Sequence, residues 1–398
     1  MEDFFDSFYK QLRTVNRKFV RYLYPLIDWN NRLIAITGAR GTGKSTLLLQ
    51  HIRNTFGVAP TNVIYLSLDH IYFSEHRLYD FAVDFVNKGG EYLFLDEVHK
   101  YPNWSQEIKN LYDSYPELNI VFTGSSILEV YKGNADLSRR VILYSLAGMS
   151  FREYLAFEGL FITELFTLED LLNNHLKLSQ QINTELKPLL HFQNYLKRGY
   201  YPFYKENNNL YHSKLLNTLN VVLETDLPSV EKIETPSILK IKRLLFILSG
   251  LVPFTPNITE LSAQLDISRN SLLNYLSYLE KSKIISMLYP DTKGIRGLSK
   301  PQKIYLNNTN LSYALGSGNP DIGNLRETFF FNQLQVIAEV TSSQKTDFTV
   351  NGCYNFEVGG KNKGHEQIMG LPNSYLALDN IESGFANKIP LWLFGFLY

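Results

Sequence analysis

Residues 38–46 are GARGTGKST and directly follow the apolar run LIAIT at 33–37. The spacing Gly-x-x-x-x-Gly-Lys-Ser is typical of a phosphate-binding loop, in which glycines let several backbone N–H groups point into one concavity. Lys44 is expected to reach the terminal phosphates and the Ser45 hydroxyl to bind Mg²⁺. The segment after the loop, STLLLQHIRNTF at 45–56, has a helical pattern, so strand, loop and helix follow one another as the motif requires. The predicted nucleotide ligands are Gly38, Ala39, Arg40, Gly41, Thr42, Gly43, Lys44, Ser45 and Thr46.

Short apolar runs between residues 31 and 150 alternate with polar stretches of helical pattern. This rhythm predicts an α/β fold with a parallel sheet. The glycine loop then lies at the carboxyl end of the first strand, where such sheets bind ligands. The predicted strands are LIAIT (33–37), NVIYLSL (62–68), EYLFLDE (91–97), NIVFTGSS (119–126) and VILYSL (141–146).

An acidic pair, Asp96 and Glu97, ends the third predicted strand. Buried carboxylates are costly unless they meet a cation, and the alternative is a pair of solvated turn residues. With the glycine loop upstream, the pair predicts that Asp96 holds Mg²⁺ through its water shell and that Glu97 polarises the water that attacks the γ-phosphate. A protein that only held nucleotide would not need Glu97, so this residue is the sequence evidence for hydrolysis.

Four further side chains are candidates for a catalytic role. Thr123 and Ser125 end the fourth predicted strand, where they could sense the γ-phosphate or form a turn and a helix cap. Arg139 and Arg140 precede the fifth strand, where an arginine could reach the nucleotide of a neighbouring subunit or end a solvated helix. We favour the first interpretation for one of the two arginines, which predicts a homo-oligomer.

The segments ITGARGTGKSTLLLQ, YLFLDEVHKYPNW, VFTGSS and SLAGMSFREYL resemble bacterial and archaeal AAA+-like ATPases that carry a C-terminal domain of unknown function. The resemblance covers the first 155 residues closely and the remainder loosely. It implies ATP as the nucleotide, a core sheet in the order 5-1-4-3-2, and a winged helix after a helical lid. Members commonly have LAGR where this chain has LAGM at 146–149, so Met149 replaces the usual arginine and Arg139 and Arg140 become the candidates.

The pattern changes along the chain and predicts five parts. After residue 150 the strand rhythm stops and the sequence is helical, and glycine turns alternate with strands again in the last block, which includes PLWLFGFLY at 390–398 as a strand. The last block is expected to form a small mixed α/β domain. The predicted parts are a helical leader (1–30), a P-loop AAA+-like domain (31–150), a helical lid (151–232), a winged-helix domain (233–312) and a nuclease-like domain (313–398).

The fourth part contains a predicted helix-turn-helix, ITELSAQLDI followed by SRNSLLNYLSYLEKS, with Ser268 as the N-cap of the second helix. That helix has an apolar face and leaves Arg269, Asn270 and Asn274 for a partner. One arginine is few for DNA binding, and a winged helix also serves as a protein-interaction module, so DNA and a protein client both stay open. The predicted wing gathers the basic residues Lys293, Arg296, Lys300 and Lys303.

The last part holds a second candidate site made of Glu327, Asp347, Glu357 and Lys361. These residues resemble the PD-(D/E)xK nuclease-like fold, which implies a metal site at Asp347 and Glu357. That pattern places glutamate and lysine two residues apart on one face of a strand. Here the lysine comes four residues after the glutamate, so a bulge at the intervening glycine pair would be needed to draw it back. The alternative is a purely structural domain of nuclease-like fold.

The chain has 398 residues, which favours two or three domains, and its basic and acidic residues both total 39, which excludes a global attraction to nucleic acid or to an anionic membrane. A single cysteine and a start without a signal-peptide pattern predict a cytoplasmic protein, and the longest apolar stretch, 244–254, is too short to span a membrane. We expect a Mg-ATP-dependent ATPase that switches or drives a bound partner. The alternatives are an ATP-regulated metal-dependent DNA nuclease and a nucleotide-switched binding module with negligible turnover.

Overall fold

The computed structural model describes residues 1–124, 137, 139–231, 233–291, 300–316 and 320–398. The chain folds into two compact units. The first consists of Met1–Ala147 and Asn220–Glu234, and the second of Gly148–Leu219 and Thr235–Tyr398. The finer division into five parts stays a prediction.

The first unit is organised around a sheet of five parallel strands in the order β2-β3-β4-β1-β5. This is the order implied by the family resemblance, read from the opposite edge, and the predicted α/β fold class with a P-loop type of sheet is confirmed. Strand β1 lies between β4 and β5, so the glycine loop that follows it lies inside the carboxyl edge of the sheet. The strands are β1 (Leu33–Thr37), β2 (Val63–Ser67), β3 (Tyr92–Asp96), β4 (Asn119–Gly124) and β5 (Ile142–Ser145).

Packing covers both faces of this sheet. Strand β1 is buried at all five positions, and because strand side chains alternate between faces, neither face is open to solvent there. The helix after the glycine loop buries Leu47, Leu48 and Ile52, while Phe81 and Trp104 of two other helices pack in a core with alternate strand residues. The first four helices are α1 (Glu2–Thr14), α2 (Lys44–Phe56), α3 (Leu78–Asn87) and α4 (Trp104–Ser114).

The remaining described helices belong mostly to the second unit. A π-helical turn, Val222–Asp226, and the short helix after it belong to the first unit instead. In the described part of the chain, no helix combines the length and apolarity that crossing a membrane requires. These helices are α5 (Phe151–Glu158), α6 (Leu168–Glu185), α7 (Pro188–Arg198), α8 (Tyr211–Val221), α9 (Leu227–Glu231), α10 (Thr235–Leu251), α11 (Ile258–Gln264), α12 (Arg269–Lys281), α13 (Thr309–Leu315) and α14 (Ile322–Leu334).

The predicted helix-turn-helix corresponds to α11 and α12. Ser268 caps α12 by accepting a hydrogen bond from the Ser271 amide at 3.0 Å, which confirms the predicted cap. An antiparallel hairpin follows, formed by β6 (Ile285–Leu288) and β7 (Lys303–Leu306). The predicted wing residues Lys293 and Arg296 lie outside the described residues, and the winged-helix identity stays a prediction. The apolar face predicted for α12 is buried, as expected, at Leu272, Tyr275, Leu276 and Leu279.

A mixed five-stranded sheet in the order β12-β11-β10-β9-β8 completes the second unit. The pairs β10–β11 and β11–β12 are parallel, and the other two pairs are antiparallel. The strand predicted at 390–398 is wrong: a 3-10 helix, Leu391–Phe396, occupies most of that run and is buried throughout. An apolar run that is buried on all sides carries no periodicity that separates strand from helix. The strands are β8 (Val340–Ser342), β9 (Phe348–Val350), β10 (Tyr354–Gly360), β11 (Ser374–Asp379) and β12 (Lys388–Pro390).

Candidate nucleotide-binding site

The glycine loop between β1 and α2 has backbone dihedral angles that a residue with a side chain would adopt only with strain. Gly38, Gly41 and Gly43 have φ values of 153°, 84° and 95°. Gly43 is the N-cap of α2, so the free N–H groups of the first helical turn point into the loop. A Cβ atom on Gly38 would lie 2.3 Å from the backbone oxygen of Leu146, just after β5. The loop therefore forms the concave, N–H-rich cradle that the motif predicts.

Lys44 lies inside this cradle with only 4 % of its surface exposed. Its Nζ donates hydrogen bonds to the backbone oxygens of Gly38 and Ala39, at 3.0 and 3.1 Å. Burial lowers the pKa of Lys44, and the carboxylates of Glu97 and Asp96 oppose that shift. An ammonium group is thus held where the loop would surround a phosphate.

Asp96 is fixed at the end of β3 by two hydroxyl donors. Tyr65 donates to its Oδ2 at 2.7 Å, and Thr123 at the end of β4 donates to its Oδ1. The Tyr65 hydroxyl is also hydrogen-bonded to Ser45, and burial together with Asp96 raises the pKa of Tyr65, which keeps it a neutral donor. One hydroxyl thus joins the Ser45 hydroxyl to the Asp96 carboxylate, and these hard oxygen donors fit Mg²⁺.

Glu97 follows Asp96 in a left-handed backbone conformation with φ of 54°. This conformation is unfavourable for a residue with a side chain and is found most often at functional sites. The Glu97 amide donates to Thr123 Oγ1 at 3.2 Å. The carboxylate Oε2 is 3.6 Å from both Arg40 Nη1 and His99 Nε2, and among the described residues this buried oxygen has no hydrogen-bond partner. Glu97 therefore carries a buried oxygen that makes no hydrogen bond and lies within ion-pair distance of two basic side chains.

The other candidates of the first unit have different surroundings. Arg140 donates to both carboxylate oxygens of Asp113, at 2.9 and 3.0 Å, whereas Arg139 is exposed just before β5. Thr46 is exposed in the first turn of α2. Ser125 lies outside the described residues.

Asp226, which the sequence does not single out, is a further charged residue beside the loop. It is 1 % exposed at the end of the π-helical turn, and it accepts hydrogen bonds from Lys100 and from Arg40, the latter at 3.3 Å. His99 Nε2 lies 3.9 Å from its Oδ1. Burial alone would raise the pKa of Asp226, but the hydrogen bonds from His99 and Lys100 outweigh burial and lower it. Asp226 is therefore a buried carboxylate that stays ionised.

Arg21 is the second residue that sequence reasoning misses. Its guanidinium is buried, donates to the Ala147 backbone oxygen at 2.7 Å and to the Thr42 backbone oxygen in the loop. It therefore ties the glycine loop to the segment after β5. The predicted helical leader in which it occurs has no motif that marks it.

The second candidate site, in the second unit, is a cluster of acids that lysines neutralise. Lys303 Nζ lies 3.0 Å from Glu327 Oε2 and 3.3 Å from Asp347 Oδ1, and Tyr305 donates to Glu327 at 2.9 Å. Burial raises the pKa of Glu327, and the Asp347 carboxylate adds to the shift. Within the described ranges, no three His, Cys, Asp or Glu side chains are grouped in a way that could hold a metal ion.

Glu357 in the same cluster pairs with Lys363 at 2.6 Å, and the predicted partner Lys361 is exposed. Strand β10 pairs with β11 in unbroken register up to Gly360, so the bulge that Lys361 would need is absent from this part of the structure. The chain turns after the strand and brings Lys363 back instead. Burial raises the pKa of Glu357 against the hydrogen bond from Lys363, and its Oε2 has no hydrogen-bond partner among the described residues.

Residues 30–155 match the model of a protein family described as an AAA domain. This segment is therefore similar to AAA-type P-loop domains. The match agrees with the loop, the sheet order and the acidic pair, and it supports nucleotide binding by the first unit. Residues 189–321 match a second family, described only as a domain of unknown function, DUF8612. That range contains the helix-turn-helix and the hairpin.

Two uncharacterised proteins of Methanocaldococcus jannaschii are similar to this chain. MJ1637 is 29 % identical over 285 residues, which is 68 % of this chain and 60 % of that protein. MJ1544 is 26 % identical over 297 residues, 70 % of this chain and 60 % of that protein. The chain therefore spans about three fifths of the length of these relatives.

Solved structures with a related arrangement include the Walker-type ATPase PABY2304 of Pyrococcus abyssi, with a TM-score of 0.39 and 14 % identity over 72 % of this chain and 91 % of that one. For AMPPCP-bound DnaA of Aquifex aeolicus the TM-score is 0.25 and the sequence identity 16 %, over 70 % of this chain and 87 % of that one. For Cdc6p of Pyrobaculum aerophilum the TM-score is 0.27 and the sequence identity 14 %, over 78 % of this chain and 93 % of that one. At these scores none of the three superposes on this chain as a whole.

Proposed function

We propose that the AAA-type domain binds Mg-ATP and hydrolyses it to ADP and phosphate. The observation that carries the proposal is the division of labour in the acidic pair. Asp96 is held by two hydroxyl donors, of which Tyr65 also bonds Ser45, whereas Glu97 keeps a buried oxygen without a hydrogen bond. A residue of the first kind suits a metal ligand, and one of the second kind suits a base.

The roles follow from these positions. The loop N–H groups and Lys44 bind the phosphates, and Lys44 exchanges its contacts with the loop carbonyl oxygens for phosphate oxygens. Ser45 and Asp96 would hold Mg²⁺, which when bound neutralises phosphate charge. Glu97 accepts a proton from the attacking water while a water oxygen forms the new bond to the γ-phosphorus and the bond to the β–γ bridging oxygen breaks. Thr123, which contacts both acidic residues, keeps them in place, and Arg139 is exposed and available to a neighbouring subunit.

The hydrolysis would serve to switch or drive a partner bound by the second unit. The helix-turn-helix with its exposed face at Arg269, Asn270 and Asn274 is the surface that we assign to DNA or to a protein client. A gel shift with mixed DNA duplexes at low and moderate salt tests whether the partner is DNA, since phosphate contacts weaken as the salt concentration rises. A shift that is absent at low salt would leave only the protein client.

A second candidate function is metal-dependent cleavage of nucleic acid by the second unit, with Asp347 and Glu357 as metal ligands. The Oε2 of the buried Glu357 makes no hydrogen bond, which favours it, but a metal ion would have to displace Lys363 and Lys303 from the two acids. Mg²⁺-dependent cleavage by the full chain that Glu357→Gln removes, with ATP binding intact, is the expected result. Cleavage that persists in the variant would contradict this candidate.

Nucleotide binding is tested with Lys44→Met in the full chain and a fluorescent ATP analogue. Losing a buried charge-assisted contact is expected to raise the Kd about 100-fold, equivalent to ~3 kcal/mol. Lys88→Met is the matched control, because Lys88 is an exposed residue directly after α3 and pairs with Asp84 at 2.8 Å. Equal Kd values for the two variants would contradict the proposed site.

A further inference from the structure

Residues 220–234 bring one charged side chain to the nucleotide site from a distant part of the sequence. This segment is the part of the chain after residue 147 that belongs to the first unit, and on both sides it continues into residues of the second unit. The π-helical turn at its centre ends in Asp226. Single π-helical turns are frequent at functional sites.

Asp226 and Glu97 have two basic neighbours in common, Arg40 and His99. Arg40 Nη1 lies 3.3 Å from Asp226 Oδ2 and 3.6 Å from Glu97 Oε2. Arg40 belongs to the glycine loop itself, and with about a third of its side chain exposed it is the most exposed member of the group. Lys100 and His99 hold the other side of Asp226 from the segment after β3.

We propose that Asp226 is a positioning residue of the nucleotide site that competes with the terminal phosphate of the nucleotide for Arg40. Without nucleotide, Asp226 holds Arg40 beside Glu97. A guanidinium group pairs more strongly with a polyanionic triphosphate in two parallel hydrogen bonds than through one nitrogen with a carboxylate whose oxygens lie at 3.3 and 3.5 Å. Arg40 therefore leaves Asp226 when ATP enters, and the inference rests on the proposed ATP site.

Two consequences follow from this competition. Glu97 loses its neighbouring guanidinium when ATP binds and keeps His99 at 3.6 Å, so its carboxylate has one basic neighbour fewer when it acts on water. Asp226 keeps Lys100 and His99 but loses one of its cations, so the hold on residues 220–234 weakens. Because linkage is reciprocal, a segment that ATP loosens must itself weaken ATP binding.

The test measures ATP-analogue affinity and hydrogen exchange in the full chain, with a non-hydrolysable analogue so that no turnover intervenes. Asp226→Asn is expected to tighten binding about three- to tenfold, because Arg40 is then free for the phosphate. Arg40→Gln is expected to weaken binding about tenfold. Asp84→Asn is the matched control, since Asp84 is an exposed aspartate in an ion pair with Lys88.

In the wild type, the analogue is expected to protect the peptide 38–46 and to speed exchange in the peptide 220–234. Arg40→Gln is expected to abolish the second effect, and this variant keeps the test valid should Asp226→Asn fold poorly. A merely structural Asp226 would give weaker or unchanged binding in Asp226→Asn, which would overturn the inference. Protection of 38–46 without any change in 220–234 would overturn it as well, whereas no protection of 38–46 would contradict the ATP site itself.

Discussion

Replacing Gly38 with alanine should destabilise the first unit by about 3 kcal/mol. The backbone at Gly38 has φ of 153°, which an L side chain adopts at a cost of about 1 kcal/mol. The new Cβ would lie 2.3 Å from the Leu146 backbone oxygen, and the Leu146 peptide is itself held by the 2.8 Å hydrogen bond from its N–H to Thr37. No side-chain rotation relieves this overlap, and forcing the backbone apart adds about 2 kcal/mol.

Gly57→Ala is the control, because Gly57 also has a positive φ, 85°, but its Cβ would have no atom within 4 Å. This variant should lower the free energy of unfolding by only about 1–2 kcal/mol, from the backbone conformation alone. Urea unfolding followed by the fluorescence of Trp29 and Trp104, in a Trp392→Phe background, reports on the first unit. Equal losses in the Gly38 and Gly57 variants would refute the close approach of the loop to the segment after β5.

Two further predictions concern buried titratable groups. Burial lowers the pKa of His51, which stacks on Trp29 at 3.6 Å, to about 4, so the unfolded chain takes up a proton that the folded one refuses as the pH falls from 6.5 to 4. Across this pH range the free energy of unfolding of the wild type, measured in urea, should fall by up to roughly 3 kcal/mol relative to that of His51→Phe. Unfolding free energies that change in parallel with pH in the two proteins would contradict the prediction. In the second unit, Lys363→Met should lower the free energy of unfolding by about 1–2 kcal/mol, because it leaves the buried Glu357 without its cation. Lys361→Met should leave the free energy of unfolding unchanged. Thermal unfolding that is the same for the two lysine variants would exclude Lys363 as the partner.

The sheet and the loop of the first unit are predictable because their signals are local. Each strand is a short buried run between polar segments, and β1, β2 and β3 end within two residues of their predicted bounds. The spacing of the glycines and the lysine in the sequence is enough to predict the conformation of the loop. The AAA-type match to residues 30–155 covers the same part of the chain.

Asp226 escapes sequence reasoning because its environment is not local. Its partners Lys100 and Arg40 are 126 and 186 residues away in the chain. The sequence VVLETDLPSV around it has an ordinary helical composition, and nothing in it shows that this one stretch leaves the second unit. Only the fold reveals that the carboxylate is buried and surrounded by cations.

Lys363 illustrates a different limit. Strand parity correctly places Glu357 and Lys361 on one face of an extended chain, but β10 ends at Gly360 and the chain turns there. A Cβ on Gly359 would lie 2.8 Å from the Lys363 side chain, so the glycine leaves room for a lysine that returns after the turn. Counting along a strand cannot predict where a turn sends the next charged side chain.

Phosphate release by Glu97→Gln, measured beside its ATP affinity, tests the central claim most directly. We expect Mg²⁺-dependent release from ATP by the wild type and a loss of at least about 100-fold in Glu97→Gln, with a Kd for ATP that changes little. Glu91→Gln is the control, because Glu91 is an exposed glutamate that accepts a hydrogen bond from Asn62. Release that survives in Glu97→Gln, or ATP that binds to both proteins without any release, would contradict hydrolysis by this glutamate.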